Sequence, residues 1–159
     1  MEITRSLVLI FTIVTGITVL SSYVYGVSRT EKPQDLWGGI PTSWTIFIIP
    51  FMFLAAFGFL IYWWIVFFQL DEAVVESFHW PWSESDGKGT TRLLLSYALF
   101  LIPSIIWLES TRFHMLNNFQ WTPFIVIGIL LLASIGNIML GLLAFSAYQD
   151  NVPGSLLML

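Results

Sequence analysis

Four stretches of this chain, residues 6–27, 42–70, 93–108 and 122–148, contain no charged side chain. No other feature narrows the possible folds as much. Hydrophobic residues make up 57% of the 159-residue sequence and charged residues 10%. A soluble domain carries about 25% charged residues. A chain of this size leaves a large share of its surface in contact with solvent, so it has no core large enough to hide this much apolar surface. The solvent for most of the chain is expected to be lipid.

A helix needs about 20 apolar residues to cross a hydrocarbon core roughly 30 Å thick. The first, second and fourth stretches meet that length. The third covers only about 24 Å at about 1.5 Å per residue. It is expected to borrow a polar turn through Glu109 and Arg112, with the Arg92 stem lying along the apolar phase and its charge at the surface. The expected spans are therefore 6–27, 42–70, 92–112 and 122–148. Strands of a membrane barrel alternate in character over about ten residues, whereas these runs are apolar on every side. The expected fold is all-α: one transmembrane domain, a four-helix bundle, with a short interfacial helix in the central loop.

The ends of the runs carry start and stop signals. Thr122-Pro123 reads as an N-cap followed by proline at the first helical position. Thr42-Ser43 after Pro41, and Thr90 or Thr91, are candidate caps for the second and third spans. Asp86-Gly87 and Gly38-Gly39 are turn signals. Trp37, Trp44, Trp80, Trp82, Trp107 and Trp121 fall near the expected ends, where amphipathic rings settle at the membrane surface. Trp63 and Trp64 serve the same belt. The first run follows Arg5 and ends near the small residue Gly26, like a signal peptide. It exceeds the 7–15 residues typical of such a core and is read as an anchor.

Charge does not orient the chain. Arg5, Lys88 and Arg92 lie on the side of the termini, and Arg29, Lys32 and Arg112 on the other, so the positive-inside comparison ties at three each. The side of the termini is the acidic one, with Glu2, Asp71, Glu72, Glu76, Glu84, Asp86 and Asp150.

The net charge of −4 offers no basic field for nucleic acid. The absence of cysteine removes thiolate metal sites, covalently attached c-type haem and a cysteine nucleophile. No P-loop, GxSxG, HExxH or potassium-filter motif occurs, and no internal repeat supports an inverted-repeat transporter.

Few residues remain that carry chemistry. Glu109 and Arg112 are three apart, hence neighbours on a helix, and His114 follows. They read either as an interfacial ion pair ending a helix or, with Asn137, as a polar path for an ion or substrate. Glu72 and Glu76 share a helix face near His79. They read as a solvated acidic face or as a cation or partner site. Asn137 lies deep in the fourth span, where its amide is expected to find a partner on another helix. Ala133, Asn137, Gly141 and Ala144 form one small-residue stripe. Thr12, Thr15, Gly16, Ser22, Tyr23 and Gly26 form another, so Gly16, Ala133 and Gly141 are the expected packing positions. Pro50 and Pro103 each free the carbonyl four residues earlier, at Ile46 and Leu99.

These residues lead to an accessory, non-catalytic subunit that packs with other membrane proteins or with itself. The alternatives are a small channel or transporter using Glu109, Arg112 and Asn137, and a lipid-modifying enzyme using Glu72, Glu76 and His79. The expected partners are the bilayer and other membrane chains. Bound lipid is expected, and neither a cofactor nor a metal is assigned.

Overall fold

A computed structural model describes residues 3–32, 36–37, 40–117 and 119–159. The chain forms α1 (Arg5–Ser28), α2 (Thr42–Trp64), a π-helical turn (Ile65–Gln69), α3 (Glu72–Glu76), α4 (Gly89–Asn117), α5 (Thr122–Gln149) and a 3-10 turn (Ser155–Leu157). No strand occurs among the described residues. Four helical segments, Arg5–Ser28, Ser43–Gln69, Gly89–Asn117 and Thr122–Gln149, are long and apolar enough to cross a membrane. The all-α class and the four spans agree with the reading of the sequence, and the chain is a multi-pass integral membrane protein. The Gly38-Gly39 turn, Glu2 and the side chain of Thr42 lie outside the described residues.

Two boundaries differ from expectation. The helix that carries the third expected span, 92–112, is longer than that span: α4 runs 29 residues, Gly89–Asn117. At about 1.5 Å per residue it reaches well beyond a core of roughly 30 Å. Hydropathy registers only the part immersed in hydrocarbon, while the helix goes on satisfying its own backbone in the headgroup layer. Thr90 and Thr91 consequently sit inside the first turn instead of capping it. Asp86 organises the entry: its Oδ1 accepts the Lys88 backbone N–H at 3.1 Å and pairs with Arg92 at 2.6 Å. The second span is not one α-helix to Leu70. It widens into the π turn, where the Leu70 N–H donates to the Ile65 carbonyl at 3.1 Å, and ends on extended backbone at Leu70. The extra residue in that turn lies where Ile65, Val66 and Phe67 become buried.

The chain divides into two compact units. The first comprises Met1–Leu9, Ile40–Leu94 and Ile138–Leu159. Its buried residues include Val66, Phe67, Val75, Phe78, Leu93, Leu143 and Ala144. A Cβ at Gly89 would lie 2.0 Å from the Val75 carbonyl oxygen, so only glycine lets α4 begin against α3. After α5 the chain turns through Asn151 and Gly154, both with positive φ, and Gly154 comes against Ile65.

The second unit comprises Ile10–Gly39 and Leu95–Asn137. Here α5 crosses the backbone of α4 at Gly136, where an added Cβ would lie 2.4 Å from the Phe100 nitrogen and 2.7 Å from the Leu99 carbonyl carbon. This crossing covers the stretch of α4 that Pro103 opens. Gly26 of α1 meets the Leu108 side chain of α4, and the Tyr23 and Trp107 rings pack edge to face at 5.8 Å. The close approaches therefore fall at Gly136 and Gly26. A Cβ on Gly16 or Gly141 would meet nothing within 4 Å.

Most of α2 is exposed in the isolated chain. No residue of its most apolar stretch is buried. Phe47, Phe51, Phe53 and Phe57 are all exposed.

Candidate functional site

The polar residues of the second unit gather in two places. At the C-terminal end of α4, Arg112 Nε donates to Glu109 Oε2 at 3.3 Å. The other carboxylate oxygen, Glu109 Oε1, is buried and has no hydrogen-bond partner among the described residues. The His114 ring nitrogen Nδ1 lies 2.6 Å from the Thr122 hydroxyl, which also donates to the Phe119 carbonyl at 2.7 Å. Thr122 thus ties α4 to α5 across their short connection and does not spend its oxygen as a helix cap. An apolar groove beside these residues is lined by Ile106, Phe113, Trp121 and Ile125, with Glu109, Ser110 and Thr122 supplying the polar atoms. Phe119 and Trp121 stack at 5.9 Å.

Nearer the middle of the spans, a cleft of about 240 Å3 opens sideways between α1, α4 and α5. Asn137, Ser134 and Ala133 come from α5, Phe100, Ser104 and Trp107 from α4, and Tyr23 from α1. Asn137 is exposed in the isolated chain. Its amide makes no hydrogen bond among the described residues, so the partner expected on a neighbouring helix is not supplied by them. Glu109 and Asn137 line different cavities and do not form one continuous site.

In the first unit, His79 is the hub. Its Nε2 lies 2.9 Å from Asp150 Oδ2 and its Nδ1 2.9 Å from the Trp80 carbonyl oxygen. Both partners are pure acceptors, so both bonds form only when the ring carries two protons. The bond to the Trp80 carbonyl raises the His79 pKa above its ordinary value. Partial burial and the Arg92 charge oppose that rise, and Asp150 reinforces it. The Ser146 hydroxyl donates to the His79 carbonyl at 2.5 Å, and Arg92 donates to the Phe78 carbonyl at 2.9 Å. Arg92 also holds the Asp86 carboxyl below its ordinary pKa.

This hub takes His79 away from Glu72 and Glu76, which remain exposed on α3. No group of three or more His, Asp or Glu side chains able to hold a metal ion exists among the described residues. The role of Asp150 and Ser146 has no signal in the sequence. They lie 71 and 67 positions from His79, and no local spacing links them. The chain matches no protein family, no curated protein and no solved structure.

Proposed function

We propose that this multi-pass membrane protein is a non-catalytic accessory subunit whose second span packs against other membrane protein chains. The supporting observation is the setting of Pro50. Proline lacks an N–H, so the Ile46 carbonyl loses the donor four residues on. Lipid tails supply no replacement donor. In α4 the equivalent opening at Pro103 lies under the α5 crossing. In α2 both Ile46 and Pro50 are exposed, and the apolar stretch around them has no buried residue. A helix from another chain, bearing a hydroxyl or amide donor, would cover this face. Lipid is as apolar as leucine, so association here would come from packing and hydrogen bonding, not from removal of water.

A photoactivatable residue placed at Phe47 or Phe51 in native membranes tests the reading. The expected result is a discrete adduct with one fixed polypeptide, which copurifies in mild detergent at constant stoichiometry. An adduct of twice the chain mass would identify the partner as a second copy. Adducts with lipid alone would end the proposal.

A further inference from the structure

Asn137 lies within two residues of the middle of α5 (Thr122–Gln149). Hydrocarbon offers an amide neither donor nor acceptor, and among the described residues none bonds to it. The cleft it lines is polar in a specific way. The Ser104 hydroxyl hydrogen goes to the Phe100 carbonyl at 2.7 Å, and that of Ser134 to the Leu130 carbonyl at 2.8 Å. Both serines therefore present lone pairs. Asn137 adds two N–H donors and one carbonyl acceptor. Among the described residues no charged side chain lines the cleft, so an ionic headgroup would enter without a counter-charge at a depth where charge is costly.

Size and wall chemistry narrow the occupant further. An apolar cavity of about 150 Å3 accepts a benzene ring, so a cleft of about 240 Å3 admits one substituted ring. The Tyr23 and Trp107 rings, held edge to face, and Phe100 form its aromatic walls. An occupant that satisfies Asn137 must both accept and donate a hydrogen bond. A hydroxyl does both, whereas an ether or ketone only accepts. Ser134 and Asn137 are exposed at the mouth, so a tail can trail into the bilayer.

We propose that this cleft binds a neutral, membrane-dissolved single-ring hydroxyarene with an alkyl tail, its hydroxyl on Asn137 and its ring against Tyr23 and Trp107. The proposal is independent of the subunit role assigned to α2.

The test uses the full chain in phosphatidylcholine nanodiscs at neutral pH. Singly ring-brominated 4-nonylphenol quenches tryptophan fluorescence, and 4-nonylphenol, nonylbenzene and cholesterol are the competitors. The expected result is a saturable quenching component that Trp107→Phe removes. 4-Nonylphenol should displace the probe, with nonylbenzene and cholesterol weaker by about tenfold, the size expected of one or two hydrogen bonds in hydrocarbon. Asn137→Leu should weaken the probe by a similar factor, and Ser134→Ala by less. Quenching that rises linearly with probe content would mean bulk partition and overturn the proposal. Equal displacement by nonylbenzene or cholesterol, or unchanged binding in Asn137→Leu, would do the same. So would loss of a chain dimer in Asn137→Leu by native mass spectrometry, since the amide would then belong to a second copy.

Discussion

His79 and Asp150 meet at 2.9 Å through Nε2 and Oδ2, joining the loop after α3 to the end of α5. Because Nδ1 faces the Trp80 carbonyl, the pair is complete only with a protonated ring. The folded pKa of His79 is raised, so its stabilisation is fully present below the unfolded value of about 6.5. It is lost as pH rises through the higher folded value. Asp150 is half exposed, and screening holds the contribution to at most about 1 kcal/mol. The detergent-solubilised protein should melt a few degrees higher at pH 6 than at pH 8. His79→Gln should flatten that slope. An unchanged slope in His79→Gln would assign the pH dependence elsewhere.

Ser146→Ala removes the donor to the His79 carbonyl while leaving the imidazole in place. The lost buried bond should lower stability by about 1–2 kcal/mol. The melting curve should shift down in parallel at pH 6 and pH 8, unlike that of His79→Gln. A pH-dependent shift would show that Ser146 acts through the ring and not through the backbone.

The crossing at Gly136 leaves no room for a side chain. Backbone cannot swing aside as a flexible side chain can. Gly136→Ala should therefore cost about 1–3 kcal/mol, as overpacking does. Gly16→Ala and Gly141→Ala, where an added methyl meets nothing within 4 Å, should melt like the parent. A destabilised Gly141→Ala would instead point to a neighbouring chain on that face of α5.

Arg92 binds the Phe78 carbonyl and Asp86 together, with its side chain only 13% exposed. Arg92→Met keeps much of the stem but removes both bonds. The loss should be about 1.5–3 kcal/mol, the range for bonds to a charged donor. Hydrogen exchange should rise first in residues 78–92, and uniform exchange across α4 would contradict the local role.

The accessory-subunit reading also expects no conduction by the chain alone. Liposomes containing the purified protein should leak protons and sodium at the rate of protein-free controls. A flux that Glu109→Gln reduces would transfer the protein to the channel class and give the buried Glu109 Oε1 a function.

Much of the architecture was legible from residues 6–27, 42–70 and 122–148, because an uncharged run of that length has one stable form in hydrocarbon. The Glu109–Arg112 pair was equally legible, since the three-residue spacing is a property of the helix itself. The end of α2 was not. Ile65-Val66-Phe67 is apolar in either an α or a π turn, and what differs is whether those side chains face a core. The packing stripe was only half legible. Small residues mark where close approach is possible, and Gly136, not Gly141, is where the α4 backbone arrives.

The number and class of the spans were determined by the sequence, because partition between water and lipid is a local property of each segment. Which polar atoms meet was decided only in three dimensions. His79 finds Asp150 from 71 positions away, Asn137 faces a cleft built from three helices, and α2 buries no residue of its most apolar stretch. Those outcomes depend on where helices cross, and helix crossings are set by the shapes of distant side chains that no local pattern records.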